Sequence, residues 1–453
     1  MPFPHQTAAI VSVGDELTLG QTLDTNSQWL SARLGEVGVI VAEHVTVPDI
    51  AAAQADAFTR LAARVDLIIC SGGLGPTLDD LTREALASAM NDTLVDDPIT
   101  LAQVEAFYIA RNRAMPAINA VQAKRPSRAS ILPNLHGTAP GIHGIIRAKV
   151  KGAKGPEREC EVFCLPGPPS EMRPMYEAQV LPRLRPLAER CVRTLALHTI
   201  GLGESDIATR LGPMMARDRV PLVGTTASGG VVSIRLRYEG PLSTEDADAL
   251  LSKDERAIRE KVGTHVFARG SDTLASVVVH TLRQRGHTLA LVESCTGGRL
   301  SGLVTDVSGS STVFKAGWIP YSNEAKVRDL GAAPSLFDVG GPGAVSFQTA
   351  HALATSAVLK SGSTYALAIT GIAGPSGGSA DKPVGTVFIS IATKTTTKEP
   401  AVEVRRFAFP GDRNSIRDWS ARSALAMLWM HLSGTPDAPL LRQVDRVVSR
   451  GQV

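Results

Sequence analysis

Aromatic side chains are scarce: Trp, Tyr and Phe make up only 4% of the chain. That excludes a platform of interleaved aromatic and basic residues for stacked bases. A charge excess is missing as well. Forty-seven basic residues face 44 acidic ones, a net charge of +3, which argues against a polyanion, nucleic acid included, as a partner. The five cysteines, Cys70, Cys160, Cys164, Cys191 and Cys295, are odd in number and irregularly spaced. A disulfide framework is not expected, and a reducing compartment is. Cys160 and Cys164 form a CxxxC pair without a second pair, too little for a zinc site. No apolar run approaches the ~18 residues of a membrane span, and the N-terminus has no basic-then-apolar leader pattern. A soluble, cytoplasmic protein with no membrane partner is expected.

What the chain has is length and aliphatic material. At roughly 100–200 residues per domain, its 453 residues imply two to four domains. Hydrophobic residues make up 43% and glycines number 41, the makeup of α/β layers with aliphatic strands and glycine turns. Residues 8–13, 39–41 and 65–70 read as strands, and the stretch through Trp29, Leu30 and Leu34 and residues 50–63 read as helices. This alternation predicts a parallel, doubly wound sheet with ligands at the carboxyl ends of its strands. Residues 149–159 read as an exposed hairpin or loop, and 162–165 as a strand before the turn Pro166-Gly167-Pro168-Pro169.

A small α+β module follows, with strands at 194–200 and 231–237 and helices at 204–217 and 243–261. Residues 268–272 read as a linker, with Ser271 or Asp272 as the next helix cap. The third unit has helices at 273–285, 346–360 and 414–432 and strands at 288–292, 365–369 and 384–392. The tail, with Arg442, Arg446 and Arg450, reads as a frayed end or a short docking helix. The expected division is 1–175, 176–265, 266–435 and a basic tail at 436–453.

Chemistry concentrates at strand ends. Glu293-Ser294-Cys295-Thr296-Gly297-Gly298 follows a buried strand and precedes a helix. A serine there is either a helix cap or a nucleophile beside backbone donors for an oxyanion. Tyr321-Ser322-Asn323-Glu324-Ala325-Lys326, Thr370-Gly371-Ile372-Ala373-Gly374-Pro375 and Gly411-Asp412-Arg413 favour the second reading. No histidine lies in these clusters, so Lys326 is the natural base once burial lowers its pKa. Tyr321 could relay the proton or hold the lysine, and Cys295 is the alternative nucleophile.

These blocks, with Gly343-Ala344-Val345-Ser346 and Lys382-Pro383-Val384-Gly385-Thr386-Val387, resemble the nicotinamide-nucleotide amidase domain that forms the C-terminal half of CinA-type proteins. The resemblance implies hydrolysis of nicotinamide mononucleotide to nicotinate mononucleotide and ammonia, with no cofactor. It implies Ser294 as nucleophile, Lys326 as base and Tyr321 as helper. Thr296, Gly297, Gly298, Thr370, Gly371, Gly374 and Arg413 are the expected substrate contacts, the glycine loops and the guanidinium serving the phosphate.

The N-terminal unit has its own set. Gly14-Asp15-Glu16-Leu17 closes the first strand, Asp24-Thr25-Asn26 opens the first helix, and Gly72-Gly73-Leu74-Gly75-Pro76-Thr77-Leu78-Asp79-Asp80 follows the third strand. Gly72, Gly73, Gly75, Thr77 and Asn26 are candidates to cradle a phosphate, with Asp79 or Thr77 capping the next helix. Asp15, Glu16, Asp79 and Asp80 would crowd one sheet edge, which is costly unless a divalent cation or a proton relieves it; a divalent metal ion is the expectation. The plainer reading has the aspartates serving the helix dipole.

With Pro133-Asn134, Gly137-Thr138-Ala139-Pro140-Gly141 and Leu165-Pro166-Gly167-Pro168-Pro169-Ser170-Glu171-Met172, these blocks resemble the molybdopterin-binding-like domain of CinA proteins. The resemblance implies a metal-dependent ADP-ribose pyrophosphatase. The middle module, with Gly203-Glu204-Ser205, is similar to the family's KH-like fold. It has no GXXG clamp, so RNA binding is not inferred. The fold class is therefore α/β in three units, and a homodimer is expected. Competing readings are an N-terminal domain that binds a pterin or nucleotide without turnover, and a competence or DNA-damage factor.

Overall fold

The computed structural model describes residues 3–149, 157–187 and 190–449. Most of the 149–159 stretch, and Arg450, therefore lie outside the described residues. The chain divides into two compact units, residues 1–193 with 239–247 and residues 194–238 with 248–453. Among the described residues no helix is long and apolar enough to cross a membrane.

The first unit contains β1 (Thr7–Val13), β2 (Ile40–Val47), β3 (Leu67–Ser71), a ribbon of β4 (Leu94–Asp96) and β5 (Lys124–Pro126), then β6 (Ser130–Leu132), β7 (Gly141–Ala148) and β8 (Arg158–Leu165). Its main sheet runs β2-β1-β3-β8-β7-β6. The first four strands are parallel, while β7 and β6 are antiparallel additions. The sheet is thus mixed rather than all parallel. The β6–β7 link, residues 133–140, is too short for a crossover helix. The winding is double. Ala8 and Ile10 of β1 pack with Leu30 and Leu34 of the helix Thr25–Glu36. Ala9 and Val11 pack with Phe58 and Leu61 of Ala51–Ala62, on the other face. Period-two alternation along one strand serves both cores.

The small module has β9 (Cys191–Ile200), β10 (Leu222–Ser228), β11 (Val231–Gly240) and β12 (Val266–Arg269), ordered β10-β11-β9-β12. The helix expected over 204–217 stops at Leu211, where Gly212 (φ +53) and Pro213 end it. Ala268 and Arg269 belong to β12 rather than to a linker. The cap of Leu274–Gln284 is neither Ser271 nor Asp272 but Thr273, whose hydroxyl accepts the Ser276 N–H at 3.1 Å.

The third sheet comprises β13 (Leu289–Glu293), β14 (Phe314–Trp318), β15 (Tyr365–Gly371), β16 (Thr386–Thr393), β17 (Ala401–Ala408) and β18 (Gln443–Ser449), in the order β14-β13-β15-β16-β17-β18. β14, β13 and β15 are parallel and the rest antiparallel. Leu289 and Leu291 pack with the helices Leu274–Gln284 and Arg413–Leu432. Ala290, Ala366 and Ala368 face Ala350, Ala354 and Ala357 of Phe347–Ser361. Small side chains on both surfaces let that helix lie close to the sheet. The expected frayed or helical tail is instead β18. Arg446 on this strand donates to the buried Glu403 of β17 at 2.8 and 3.1 Å.

Candidate active sites at two sheet edges

β13 and β15 end side by side, with Glu293 in register with Ile369. The Ser294 N–H donates to the Ile369 carbonyl at 3.0 Å, fixing the serine at the strand end. Gly297 (φ +56) and Gly298 (φ +93) then reverse the chain in the left-handed region. Ser294 is not a helix cap; Gly298 holds that position before Arg299–Thr305. The helix amides are not free for an oxyanion, contrary to expectation. Glu293, fully buried, accepts the N–H groups of Gly298, Leu300 and Ser301 at 3.1, 3.0 and 2.8 Å, and the Ser301 hydroxyl at 2.6 Å. The N–H groups of Cys295 and Thr296 have no acceptor on another residue among the described ones. They are the amides left open to an acceptor at this strand end.

Lys326 sits on Asn323–Leu330, a helix capped by Ser322, which accepts the Ala325 N–H. Its side chain is buried, and its Nζ donates to the carbonyls of Tyr321 (3.2 Å) and Ser322 (3.4 Å). No carboxylate pairs with it among the described residues. Burial pushes its pKa down, and it lies within electrostatic reach of Cys295, the neighbour of Ser294. The Ser294 hydroxyl has no hydrogen-bond partner among the described residues. Tyr321 holds the lysine through its backbone carbonyl, not its phenol. The phenol is exposed and accepts from Arg413 at 3.0 Å. The Cys295 thiol is buried and pushed up to about 12 by that burial, which keeps it protonated and a poor nucleophile at neutral pH.

Thr370 is buried, its hydroxyl donating to the Ala344 carbonyl at 2.7 Å. Thr296 is fully buried and its Oγ1 has no partner among the described residues. A Cβ on Gly371 would lie 2.7 Å from a Val387 methyl, and one on Gly374 (φ +78) 2.7 Å from a Val384 methyl. Arg413 donates to the Gly374 carbonyl at 2.7 Å, so its guanidinium links that loop to the Tyr321 phenol. The sequence reading missed Arg417, which donates to the carbonyls of Cys295 (3.1 Å) and Thr296 (2.7 Å). Its signal was its i+4 spacing from Arg413 on one helix.

At the edge of the first sheet, Asp24 caps Thr25–Glu36, accepting the Ser27 N–H at 2.9 Å and the Ser12 hydroxyl at 2.7 Å. Asn26 donates through Nδ2 to Ser71 Oγ and to the Gly167 carbonyl, both at 2.8 Å. Gly72 (φ +107) passes so near β1 that a Cβ would lie 2.5 Å from the Val13 carbonyl oxygen. Asp80 accepts the N–H groups of Gly75 and Thr77, each at 2.8 Å, and the Thr77 hydroxyl at 2.5 Å. Neither Asp79 nor Thr77 caps Thr82–Ala89; Leu81 stands there, with no side-chain cap. A cavity of about 400 Å³ lies over the loop, bordered by Glu16, Asp49, Gly73, Asp79 and Glu171 among others.

The four carboxylates do not form the expected metal cage. Asp80 is used up by its loop, and Asp15 Oδ1 accepts the Asp49 N–H at 3.1 Å. Among the described residues no three His, Cys, Asp or Glu side chains could together hold a metal ion. Asp49, missed in the sequence, returns the bond to the Asp15 N–H at 2.9 Å. Its carboxyl pKa is raised by burial and by the charges of Asp15, Asp79 and Glu16. Its signal was an acid just past the end of β2.

Fold and sites define a chain of three modules with glycine-rich strand-end loops at the first and last. Three family models match in this order: the probable molybdopterin binding domain over residues 9–186, the damage-inducible protein CinA KH domain over 194–268, and the CinA C-terminal domain over 271–432. A CinA-like protein of Geobacter metallireducens is 39% identical over 424 residues, 93% of this chain and 98% of its own. One from Kosmotoga olearia is 36% identical over 418 residues, 92% of this chain and 97% of its own. The chain belongs to the CinA family. Solved structures match single regions. The competence/damage inducible protein of Agrobacterium tumefaciens is 37% identical, covering 35% of this chain and 93% of its own, with a TM-score of 0.33. CinA of Thermoplasma acidophilum, titled as of unknown function, is 32% identical and covers 39% and 98%, with a TM-score of 0.34.

Proposed function

We propose that the C-terminal site hydrolyses the amide of nicotinamide mononucleotide, giving nicotinate mononucleotide and ammonia. The observation that carries this reading is a buried lysine, without a carboxylate partner among the described residues, within electrostatic reach of Cys295, the residue next to a serine at a strand end. Neutral Lys326 takes the Ser294 hydroxyl proton as Oγ attacks the amide carbon. The oxyanion rests on the N–H groups of Cys295 and Thr296. Lys326 returns the proton to the leaving nitrogen, the C–N bond breaks and ammonia departs. Water, deprotonated by Lys326, then cleaves the acyl ester and frees the carboxylate and the serine. Arg413 serves the phosphate. Quenching the reaction early and mapping Ser294 by mass spectrometry tests the route. An acyl adduct on the Ser294 peptide is expected, and turnover without any acyl enzyme contradicts it.

The N-terminal cavity supports a second activity, hydrolysis of the diphosphate of ADP-ribose. The glycine loop lets backbone approach the phosphates, and the carboxylates around Asp49 stay crowded until a cation relieves them. The donor set is all oxygen, suited to a hard cation, but too few groups converge for a cage. The described carboxylates there do not converge on a cation by themselves, so a divalent ion would have to arrive with the substrate phosphates, as such ions are commonly bound. Bound there, the ion would neutralise phosphate charge. Turnover of ADP-ribose to AMP in the presence of divalent metals is expected; binding without turnover would leave a ligand-holding domain.

A further inference from the structure

The middle module and the C-terminal sheet belong to one compact unit, and they share a core. Ile200, Phe267 and Ala268 of the module lie in the same hydrophobic cluster as Leu425, Leu428 and Leu432 of the helix Arg413–Leu432. The module also bears on that helix through the tip of a hairpin. β10 and β11 are joined by Gly229 (φ +55) and Gly230 (φ +84), a two-residue turn with both residues in the left-handed region. The tip lies against Trp419 and Arg422. A Cβ on Gly230 would stand 2.5 Å from Trp419 Cζ3, and one on Gly229 3.1 Å from Arg422 Nε. The space left around the tip is about 10 Å³, no more than the room for one water.

The first turns of the same helix hold the Ser294 turn. Arg417 donates to the carbonyls of Cys295 and Thr296. Arg299, just past that turn, donates to the Asn414 carbonyl at 2.9 Å and pairs with Asp418 at 3.1 Å. Trp419 also stacks on Phe409, with ring centroids 5.8 Å apart and planes 20° apart. The Phe409 N–H donates to the Gly385 carbonyl at 2.9 Å, and the Gly385 N–H donates to the Ile372 carbonyl at 2.8 Å, inside the glycine loop after β15. The nucleophile turn and that glycine loop are thus both tied to the stretch of helix under the hairpin tip.

We propose that the Gly229–Gly230 turn of the middle module is a positioning element of the C-terminal site. It fixes Trp419, and with it Arg417 and the 370–374 loop, at the spacing that the Ser294 turn requires. The proposal rests on the amidase reading for its kinetic readout, and on the packing alone for its geometry. Gly230 and Trp419 are positioning residues: they act through Arg417 and Phe409 and touch no reacting atom. A part in the C-terminal chemistry thus falls to the middle module without contact between that module and a substrate.

Two measurements on the full chain test it: ammonia release from nicotinamide mononucleotide, and amide hydrogen exchange over residues 294–298. Gly230→Ala drives a methyl into the Trp419 ring. Ordinary carbon contacts lie at about 3.5–4.0 Å, so the helix must give by about 1 Å, a misplacement that can cost up to about 10²-fold in rate. Gly263→Ala is the control. It sits in the same module with the same left-handed strain (φ +67), but its added Cβ meets no atom within 4 Å. Gly230→Ala should lower kcat by about tenfold or more while KM stays within about twofold. Gly263→Ala should leave both within about twofold of the parent chain. The pH at which the profile rises should be the same in all three, because the burial of Lys326 is untouched. Trp419→Phe removes the ring atoms that the new methyl meets and keeps a ring on Phe409, so in the Gly230→Ala background it should restore most of the loss. Residues 294–298 should exchange faster in Gly230→Ala than in Gly263→Ala or the parent chain. Equal kcat and equal exchange in the two alanine variants would overturn the proposal, and so would a loss that Trp419→Phe deepens. If the parent chain releases no ammonia, the amidase reading fails, and the exchange rates alone decide for or against the positioning role.

Discussion

As the proposed base, Lys326 should set the pH behaviour of the C-terminal site. A base must be neutral, and burial lowers the lysine's pKa, so activity rises as pH climbs through that lowered value. The kcat/KM profile should therefore rise at a pH below the ordinary lysine value of about 10.4. Lys326→Arg, permanently charged, should remove the rise together with nearly all activity. A profile in the parent chain that shows no rise below the ordinary lysine value would exclude this base. Cys295 gives the complementary prediction. Its buried thiol stays protonated, so Cys295→Ser should keep activity within about threefold, and the parent chain should resist iodoacetamide. Of these residues, Ser294 and Lys326 are legible in the sequence because each stands in a compact local pattern. Glu293 under the turn and Arg417 against its carbonyls are not, because their partners are fixed by tertiary packing. Arg417 and Cys295 are 122 residues apart.

At the scale of elements, β18 is the informative case. Its inward side chain is Arg446, whose partner Glu403 lies 43 residues earlier, so the strand reads as a basic tail in sequence. Burial alone would raise the Glu403 carboxyl, but hydrogen bonds from His431 and Arg446 and the charge and hydrogen bond of Arg405 hold it down at about 2 against an ordinary 4.5. A depressed carboxyl contributes stability above its unfolded pKa, and that stability is lost as pH falls from about 4.5 toward 2. Its size is about 3 kcal/mol. Arg446→Ala leaves the buried charges unbalanced and should cost about 3–5 kcal/mol, read as a lowered urea midpoint. Urea melts at pH 3 and pH 7 should show the parent chain losing more than Glu403→Gln between them. The loop after β3 is constrained differently. Gly72→Ala adds a Cβ against the Val13 carbonyl at positive φ and should cost at least about 1 kcal/mol. The loss should show in the thermal midpoint and in phosphate binding together. The aliphatic strands β1, β3, β13 and β15 are legible as buried runs. β10 is largely exposed and polar, and β12 has four residues, so neither stands out from a loop.

At the scale of the molecule, the scarcity of aromatics and the near balance of charge fit small phosphorylated ligands better than a nucleic acid. The two candidate sites lie at the carboxyl edges of two separate sheets, each in its own compact unit. The two chemistries should therefore be separable by mutation. Ser294 belongs to one sheet edge and Gly72, Asp49 and Asn26 to the other. The central claim is that Ser294 is the nucleophile of an amidase working independently of the N-terminal cavity. Its most direct test is ammonia release from nicotinamide mononucleotide by the parent chain and by Ser294→Ala, with ADP-ribose turnover measured on the same samples. The account predicts that ammonia release falls to background in the variant while ADP-ribose turnover is unchanged. Full ammonia release by Ser294→Ala would contradict it.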